Sequence, residues 1–477
     1  MMAGFATRHS IHDDARRQRI ADVVRQIEAD GVRTVRLGFA DQHGVIRGKS
    51  FAADQIGSLF EDGMTAPSSL LLKDLAHRTV LPVWSGESTG LAGMAGIGDI
   101  LLIPDPDRFH ILPWLEDTAW IQADIFHTDG SPSPLDTRGI ARRANAGLVE
   151  AGMQFHAGLE IEAHVYRIAD GSLNASDIGQ PGTPPKVEIL NRGYQLLTEH
   201  YADTLEPVMT LIHDTCDSLA IPIRSLEVEF GPSQIEFTCA ARPGIAAADD
   251  MVLLRSALRQ TLARHGYHIS FMCRPAIDGS FASGWHLHQS VADEDGTNLF
   301  TPAKDGAMTT TASGWIAGLL HHAPSMSLFA APTITGYKRY RAHSLAPERI
   351  SWSHDGRGAL IRALCRNGDA ASRIENRGGE PAANPYLYLA SQMFAGLDGI
   401  TAGREMPPAA SDAYDDTLPR LPSSLDEALA LASDDTFVRD RFGTTFMDCY
   451  AAIKRAELAS FAAHVGDWEH RAYFAAF

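Results

Sequence analysis

Glu160 and Glu162 stand two positions apart in the run AGLEIEAHVY, residues 157–166, among β-branched and aromatic residues that favour a strand. On a strand both side chains leave the same face, and carboxylates buried side by side repel unless a cation or a proton compensates. The run SLEVEFGPSQIEFTC, residues 225–239, adds Glu229 and Glu236 on either side of a Gly-Pro turn, with Glu227 alternating with Glu229. In SGWHLHQS, residues 283–290, His286 and His288 alternate ahead of Ser290, a spacing that aims both imidazoles at one place, and imidazole is a common ligand of divalent metals. In SRIENRGGEPAANPY, residues 372–386, Arg373, Glu375 and Arg377 share a face, and guanidinium forks grip carboxylate or phosphate oxygens.

Each motif alone has an ordinary alternative: a solvated strand face, an acidic edge strand, a half-buried histidine pair, a surface ladder of salt bridges. Together they gather carboxylates, imidazoles and the arginines Arg339, Arg357, Arg362, Arg373 and Arg377 on strands of one domain. Hard oxygen ligands in such number favour Mg²⁺ or Mn²⁺ over zinc, which recruits thiolate or several histidines. Arginines beside such ions suit phosphoryl transfer, where negative charge spreads over oxygens in the transition state.

Positioning these strands takes more than one core, because 477 residues exceed the size of an ordinary single domain. Residues 15–29 carry Ile20, Val23, Val24 and Ile27 at helical spacing, ended by Gly31. Residues 33–50 read as two strands around a turn at Asp41, Gln42, His43 and Gly44. The stretch GMAGIG, residues 93–98, leads into Asp99 and a strand rather than a helix, so it lacks the context of a phosphate loop. Gly, Pro, Ser and Asp crowd residues 127–137 ahead of a new helix over 138–151. The chain therefore divides into an N-terminal domain, residues 1–130, and an α+β domain, residues 131–477. Residues 407–426 read as a surface loop, with amphipathic helices after it.

A formal charge of −18 disfavours duplex nucleic acid or an anionic membrane as partner, since both need a concentrated basic face. The five cysteines are scattered, odd in number and free of any CxxC pair, which predicts reduced core residues. No signal-peptide core and no run of 18 apolar residues occurs, so the expectation is a soluble, cytoplasmic protein.

In order along the chain, GLEIEAHVY, EFGPSQIE, GWHLHQS, HAPSMSLFAAPTITGYKRY, GRGALIR and RIENRGGEPAANPYLYLA resemble the glutamine synthetase family. The resemblance implies a small N-terminal β-grasp domain, a large catalytic domain, and a ring-shaped homo-oligomer, a dodecamer of two hexamers with active sites between subunits. It implies ATP and two or more Mg²⁺ or Mn²⁺ ions. Glu162, Glu229 and Glu236 resemble the ligands of one ion; Glu160, His286 and Glu375 resemble those of a second. His288, Ser290, Arg357, Arg362 and Arg373 would surround ATP, with Arg357 and Arg339 acting in catalysis, while Arg339 and Arg377 would grip glutamate. The family chemistry forms a γ-glutamyl phosphate, which an amine then attacks.

The sequence departs from that pattern where ammonia-using members bind ammonium. An Asp-Gly-Ser-Ser stretch is replaced by Ala66-Pro67-Ser68-Ser69, and a glutamate expected six residues after Arg339 is replaced by Leu345, with Glu348 three residues further on as a substitute. Ammonium in a pocket without a counter-charge is disfavoured by roughly several kcal/mol, whereas an apolar amine gains roughly 25 cal/mol per Å² buried. These changes point to an organic amine, apolar or aromatic, and so to a γ-glutamylamide synthetase. Phe281-Ala282 also replaces an Asn-Gly in the loop that holds glutamate. The competing readings are an ammonia-dependent glutamine synthetase and a catalytically silent homologue with a regulatory role.

Overall fold

The expected hairpin forms, and it opens the first of two sheets: β1 (Thr34–Ala40) pairs antiparallel with β2 (Ile46–Ala52). Its turn is tied by the Asp41 carboxylate, which accepts from the backbone N–H of His43 at 2.9 Å and of Val45 at 3.0 Å. The computed structural model describes residues 3–83, 98–303, 306–341 and 344–477. Residues 93–97 of the glycine-rich stretch lie outside the described residues, and Asp99 opens a strand as expected. With β3 (Met64–Pro67), β4 (Asp99–Ile111) and β5 (Thr118–His127) the sheet runs in the order β2-β1-β5-β4-β3. The β1–β5 pairing is parallel. The helix Asp14–Ala29 starts one residue before the expectation because Asp13 caps it, accepting from the Arg16 N–H at 2.8 Å.

After the turn that follows β5, the helix Thr137–Glu150 is capped by Asp136 and leads into the second sheet. That sheet is built on the long strand β6 (Gln154–Asp170), with β7 (Lys186–Glu188), β8 (Ile223–Val228), β9 (Gln234–Cys239), β10 (Arg242–Pro243), β11 (Tyr267–Ser270), β12 (Trp285–Ala292), β13 (Trp352–His354), β14 (Ile361–Leu364) and β15 (Arg373–Gly379). Its main path is β13-β14-β15-β12-β6-β9-β8. The helices Ala246–Arg264, Thr310–Ala330 and Pro385–Thr401 present mostly buried residues, and their apolar side chains join those of both sheets in one hydrophobic core. The closing helices begin at Leu425, so the expected surface loop ends two residues early. Within that loop Leu421 is buried, and its neighbour Arg420 bridges to Arg349. Of the cysteines, Cys365 departs from the core expectation by being only half-buried. Among the described residues no helix is long and apolar enough to cross a membrane.

A buried guanidinium fastens the first sheet to the helix Ala246–Arg264. Arg138, 4% exposed, donates through Nη1 to Asp105 on β4 and Asp124 on β5 at 2.7 Å each, and through Nε to Asp249 of the helix Ala246–Arg264 at 2.8 Å. Burial pulls its pKa down, but Asp249 and Asp124 more than offset that and hold it well above the ordinary arginine value. Removing one member of such a cluster leaves the others charged and unpaired. Arg138→Ala is therefore expected to cost about 3–5 kcal/mol of stability, measured by denaturant unfolding, whereas Arg17→Ala, whose partner Asp14 is fully exposed, leaves the midpoint unchanged.

Candidate metal centre

Strand register brings the sequence motifs together. On β6, Glu160 lies opposite His286 of β12, and Glu162 lies opposite Glu236 of β9. His288 faces Glu375 of β15, and Glu375 faces Arg362 of β14. Five adjacent strands thus deliver acids, imidazoles and guanidinium groups to one sheet face. Glu160 takes both rings: His286 Nδ1 is 2.5 Å from Oε1 and His288 Nε2 is 2.7 Å from Oε2. The partners on the far nitrogens fix the tautomers. Arg339 Nη2 lies 3.3 Å from His286 Nε2 and Arg373 Nε donates to His288 Nδ1 at 3.0 Å, so each ring's remaining N–H points to Glu160. Gly284 keeps this packing possible, because a Cβ there would sit 3.0 Å from His286 Nε2 and against the Arg339 guanidinium.

The cluster has two electrostatic halves. Glu375 accepts from Arg362 Nη1 at 3.0 Å and from Arg377. Burial would raise Glu160 and Glu375, but the imidazoles, with Arg377 at Glu375, outweigh it and hold both below the ordinary glutamate range. Among the described residues the other half is less compensated: burial and the neighbouring carboxylates outweigh the downward pull of Arg339 and Arg377 on Glu162. Burial and the neighbouring Glu229 push Glu162 up to about 8. Burial, followed by Glu160, Glu162 and Glu229, pushes Glu236 up to about 10. Glu229 is raised as well, mainly by burial. Burial and then Arg377 pull His286 down to about 4, so the ring is neutral, with its lone pair on the nitrogen that faces Arg339. Ligand atoms of Glu160, Glu236 and His286 lie within 4.8 Å of one another, and so do those of Glu160, His288 and Glu375. This donor set suits hard divalent cations.

The remaining expected residues fall at varied distances from this cluster. Arg339 is buried and donates to the Arg377 and Gly379 carbonyls at 3.0 and 3.2 Å. Arg377 Nε is buried with no hydrogen-bond partner among the described residues, leaving a donor for a ligand's acid. Ser290 is half-buried on β12 opposite His156. Arg357 is exposed on the turn between β13 and β14. Ala282 offers its carbonyl to Gln234 at 3.5 Å. Leu345 is 57% exposed, and its carbonyl accepts from Arg377 at 3.4 Å. Ala66 turns into the core of the first sheet, so Thr65 and Pro67 are the outward-facing members of that stretch. Glu348 is engaged by the buried Arg349 at 3.3 Å.

His288, expected at the nucleotide, also reaches the carboxylates, because Gly158 opposite it leaves its ring free to lean toward Glu160. Gln234 was not singled out by sequence, although it alternates with Glu236. Its amide donates to Glu162 at 2.9 Å and to Ser283 at 3.0 Å. A cavity of about 500 Å³ lies elsewhere, between the 41–46 turn and the helix Ala246–Arg264, and is lined by none of these groups. The convergence of ligating side chains, rather than enclosed volume, marks the centre.

The family model for the glutamine synthetase catalytic domain matches residues 134–473. Gamma-glutamylanilide synthase of Acinetobacter sp is 37% identical, with 98% of each chain covered. Glutamate–isopropylamine ligase of Pseudomonas sp is 31% identical over 94% of this chain and 96% of its own. The solved structure of apo GmaS without ligand superposes with a TM-score of 0.79 at 23% identity, over 95% of this chain and 99% of that one, a likeness of fold.

The raised carboxylates give a pH signature. Glu162 and Glu236 bind their protons more tightly folded than unfolded, so their contribution to stability is complete below the ordinary glutamate value and is lost as pH rises toward about 8 and about 10. In chelator, the melting temperature is expected to fall between pH 5 and pH 9. Mn²⁺ should restore it more at pH 8.5 than at pH 6, because the ion displaces those protons. Glu236→Gln should flatten both dependences in thermal melts.

Proposed function

Because the chain belongs to the glutamine synthetase family, we propose that it is an ATP-dependent ligase joining the γ-carboxylate of glutamate to an organic amine through a γ-glutamyl phosphate. The observation that carries this reading is the register that gathers Glu160, Glu162, Glu236, His286 and Glu375 on adjacent strands beside Arg339, Arg362, Arg373 and Arg377. Two divalent ions, Mg²⁺ or Mn²⁺, would be held by Glu162, Glu229 and Glu236 and by Glu160, His286 and Glu375. When bound, they offset repulsion between the reacting carboxylate and the triphosphate.

Arg339 and Arg377 hold glutamate, Arg377 with its spare Nε. Arg362, Arg373, His288 and Ser290 line the nucleotide side, and Arg357 reaches in from its exposed turn. In the first step a γ-carboxylate oxygen attacks the γ-phosphorus and ADP leaves. In the second the amine nitrogen attacks the acyl carbon, phosphate leaves, and the nitrogen gives up its proton. We take residues 1–130 as a β-grasp domain and residues 131–477 as the catalytic domain, in agreement with the change of sheet between β5 and β6 and the family match from residue 134.

The amine is organic on two grounds. The relatives named for a γ-glutamylanilide and for ligation of isopropylamine cover nearly the whole chain, and Glu348, three residues beyond Leu345, is spent on Arg349. ADP release at fixed ATP and glutamate, with mass detection of the coupled product, should be faster with aryl or alkyl amines than with ammonium; preference for ammonium sinks this assignment. Leu345→Glu should raise kcat/KM for ammonium by roughly tenfold, equivalent to about 1.4 kcal/mol.

We further propose a dodecamer of two hexameric rings in which the N-terminal domain of a neighbour borders the site. Support comes from the helix Asp467–Tyr473, too short to be stable alone, whose end of the chain exposes Trp468 at 71%, Phe474 at 75% and Phe477 fully. Such rings need a surface to cover them. Deleting residues 464–477 should lower the assembly mass in sedimentation velocity; an unchanged mass removes this segment from the interface.

A further inference from the structure

Beside the acidic cluster stands a group of aromatic side chains that the phosphoryl chemistry leaves unused. Phe230 directly follows Glu229, and Glu229 Oε2 accepts from the Phe230 N–H at 2.7 Å. The Phe230 ring lies 5.1 Å from that of Phe281, and Tyr194 meets Phe230 edge-on at 5.6 Å. Phe230 is 36% exposed and Tyr194 is 53% exposed, so these rings form an open apolar surface at the edge of the site.

The surface is rigidly held. Tyr194 sits in the left-handed region at φ +59°, its N–H donates to the Phe230 carbonyl at 2.6 Å, and its hydroxyl donates to the Gly279 carbonyl at 2.9 Å. Gly231 lets Phe281 approach, since a Cβ there would lie 2.9 Å from the Phe281 Cβ. Gln234 then ties rings to ligands: its Oε1 accepts from the Gly231 N–H at 2.8 Å, while its Nε2 donates to the Glu162 carboxylate and the Ser283 hydroxyl. One amide therefore fixes the aromatic wall at a constant distance from the acids that would hold the ion.

We propose that Phe230 and Phe281, buttressed by Tyr194, form the wall against which the body of the acceptor amine packs, and that they select an aromatic amine. This rests on the ligase reading above. Ring faces and edges favour an aryl partner in stacked or edge-on contact. An arylamine also arrives uncharged at neutral pH, so it gives up no solvated charge on entering, and it gains contact with the rings that ammonium cannot make.

The test compares wild type with Phe281→Ala, Phe281→Leu and Phe230→Ala, using aniline, methylamine and ammonium, and reads KM for amine, glutamate and ATP separately. The alanine variants should raise KM for aniline roughly tenfold or more, about 1.4 kcal/mol, leave KM for glutamate and ATP within twofold, and narrow the aniline-to-methylamine ratio of kcat/KM. Phe281→Leu should keep methylamine turnover while losing aniline preference. A Mn²⁺-induced rise in melting temperature equal to wild type shows that the variants are folded with the ion site intact. An unchanged amine ratio, or a shift confined to KM for glutamate, overturns the proposal while leaving the ligase reading in place. A wild type that couples none of the three amines overturns the ligase reading and this proposal with it.

Discussion

Mutual repulsion of carboxylates on neighbouring strands is the constraint around which the site is organised. Antiparallel register sets Glu162 opposite Glu236 and Glu236 opposite Glu227, so like charges face one another across both edges of β9. Directly opposed like charges destabilise a sheet, and burial multiplies the cost. The fold tolerates this because the same strands are locked from behind by a continuous apolar core that includes Ile161, Ile235, Phe237 and Leu287. Alternation along each strand keeps the two requirements apart, with apolar residues on the core face and acids on the other. A one-residue slip would exchange the faces and lose both core and ligands at once.

The motifs were legible in sequence because strand periodicity is a local property. Glu160 with Glu162, His286 with His288 and Arg373 with Glu375 all share a face through a spacing of two, and each pair lies in the cluster. The hairpin and the Asp136-capped helix were legible for the same reason, since turn and cap chemistry lies within a few residues. What sequence could not give is pairing between distant segments. Arg138 and Asp249 are 111 positions apart, and nothing near either announces the bond. The aromatic wall joins side chains from three segments, of which only Phe281 stood out, as a departure from a family pattern. Orientation was equally hidden: Ala66 follows the strand alternation into the core, a choice made by the sheet it joins rather than by its own neighbours.

The link between the first sheet and the helices Ala246–Arg264 and Pro385–Thr401 bears on the site without touching it. The Arg138 cluster holds β4 and β5 to the helix Ala246–Arg264, while Asn384, at the cap of the helix Pro385–Thr401, donates to the Asp41 and Gln42 carbonyls of the N-terminal hairpin at 3.0 and 3.2 Å. Asn384 lies five residues beyond the end of β15, the strand that bears Glu375 and Arg377. The hairpin is thereby fixed to the strand that supplies ligand and guanidinium, so the N-terminal domain is held in a defined pose relative to the chemistry.

The division of charge within the cluster carries a consequence for the order in which it fills. Around Glu160 and Glu375, imidazole and guanidinium partners already compensate the acids. Around Glu162, Glu229 and Glu236 burial and mutual repulsion outweigh the arginines, and all three carboxyls are held above the ordinary glutamate range. A cation therefore gains most on the less compensated side, where it replaces protons and relieves repulsion among carboxylates. On the compensated side it must displace the hydrogen bonds from His286 and His288 to Glu160 before those groups can turn to it. On the ligase reading proposed above, that side would be better filled by an ion arriving with an anionic ligand, whose charge Arg362, Arg373 and Arg377 would take up in place of Glu375 and His288. On that reading, occupancy of the second position would depend on nucleotide, while the first would fill on electrostatics alone.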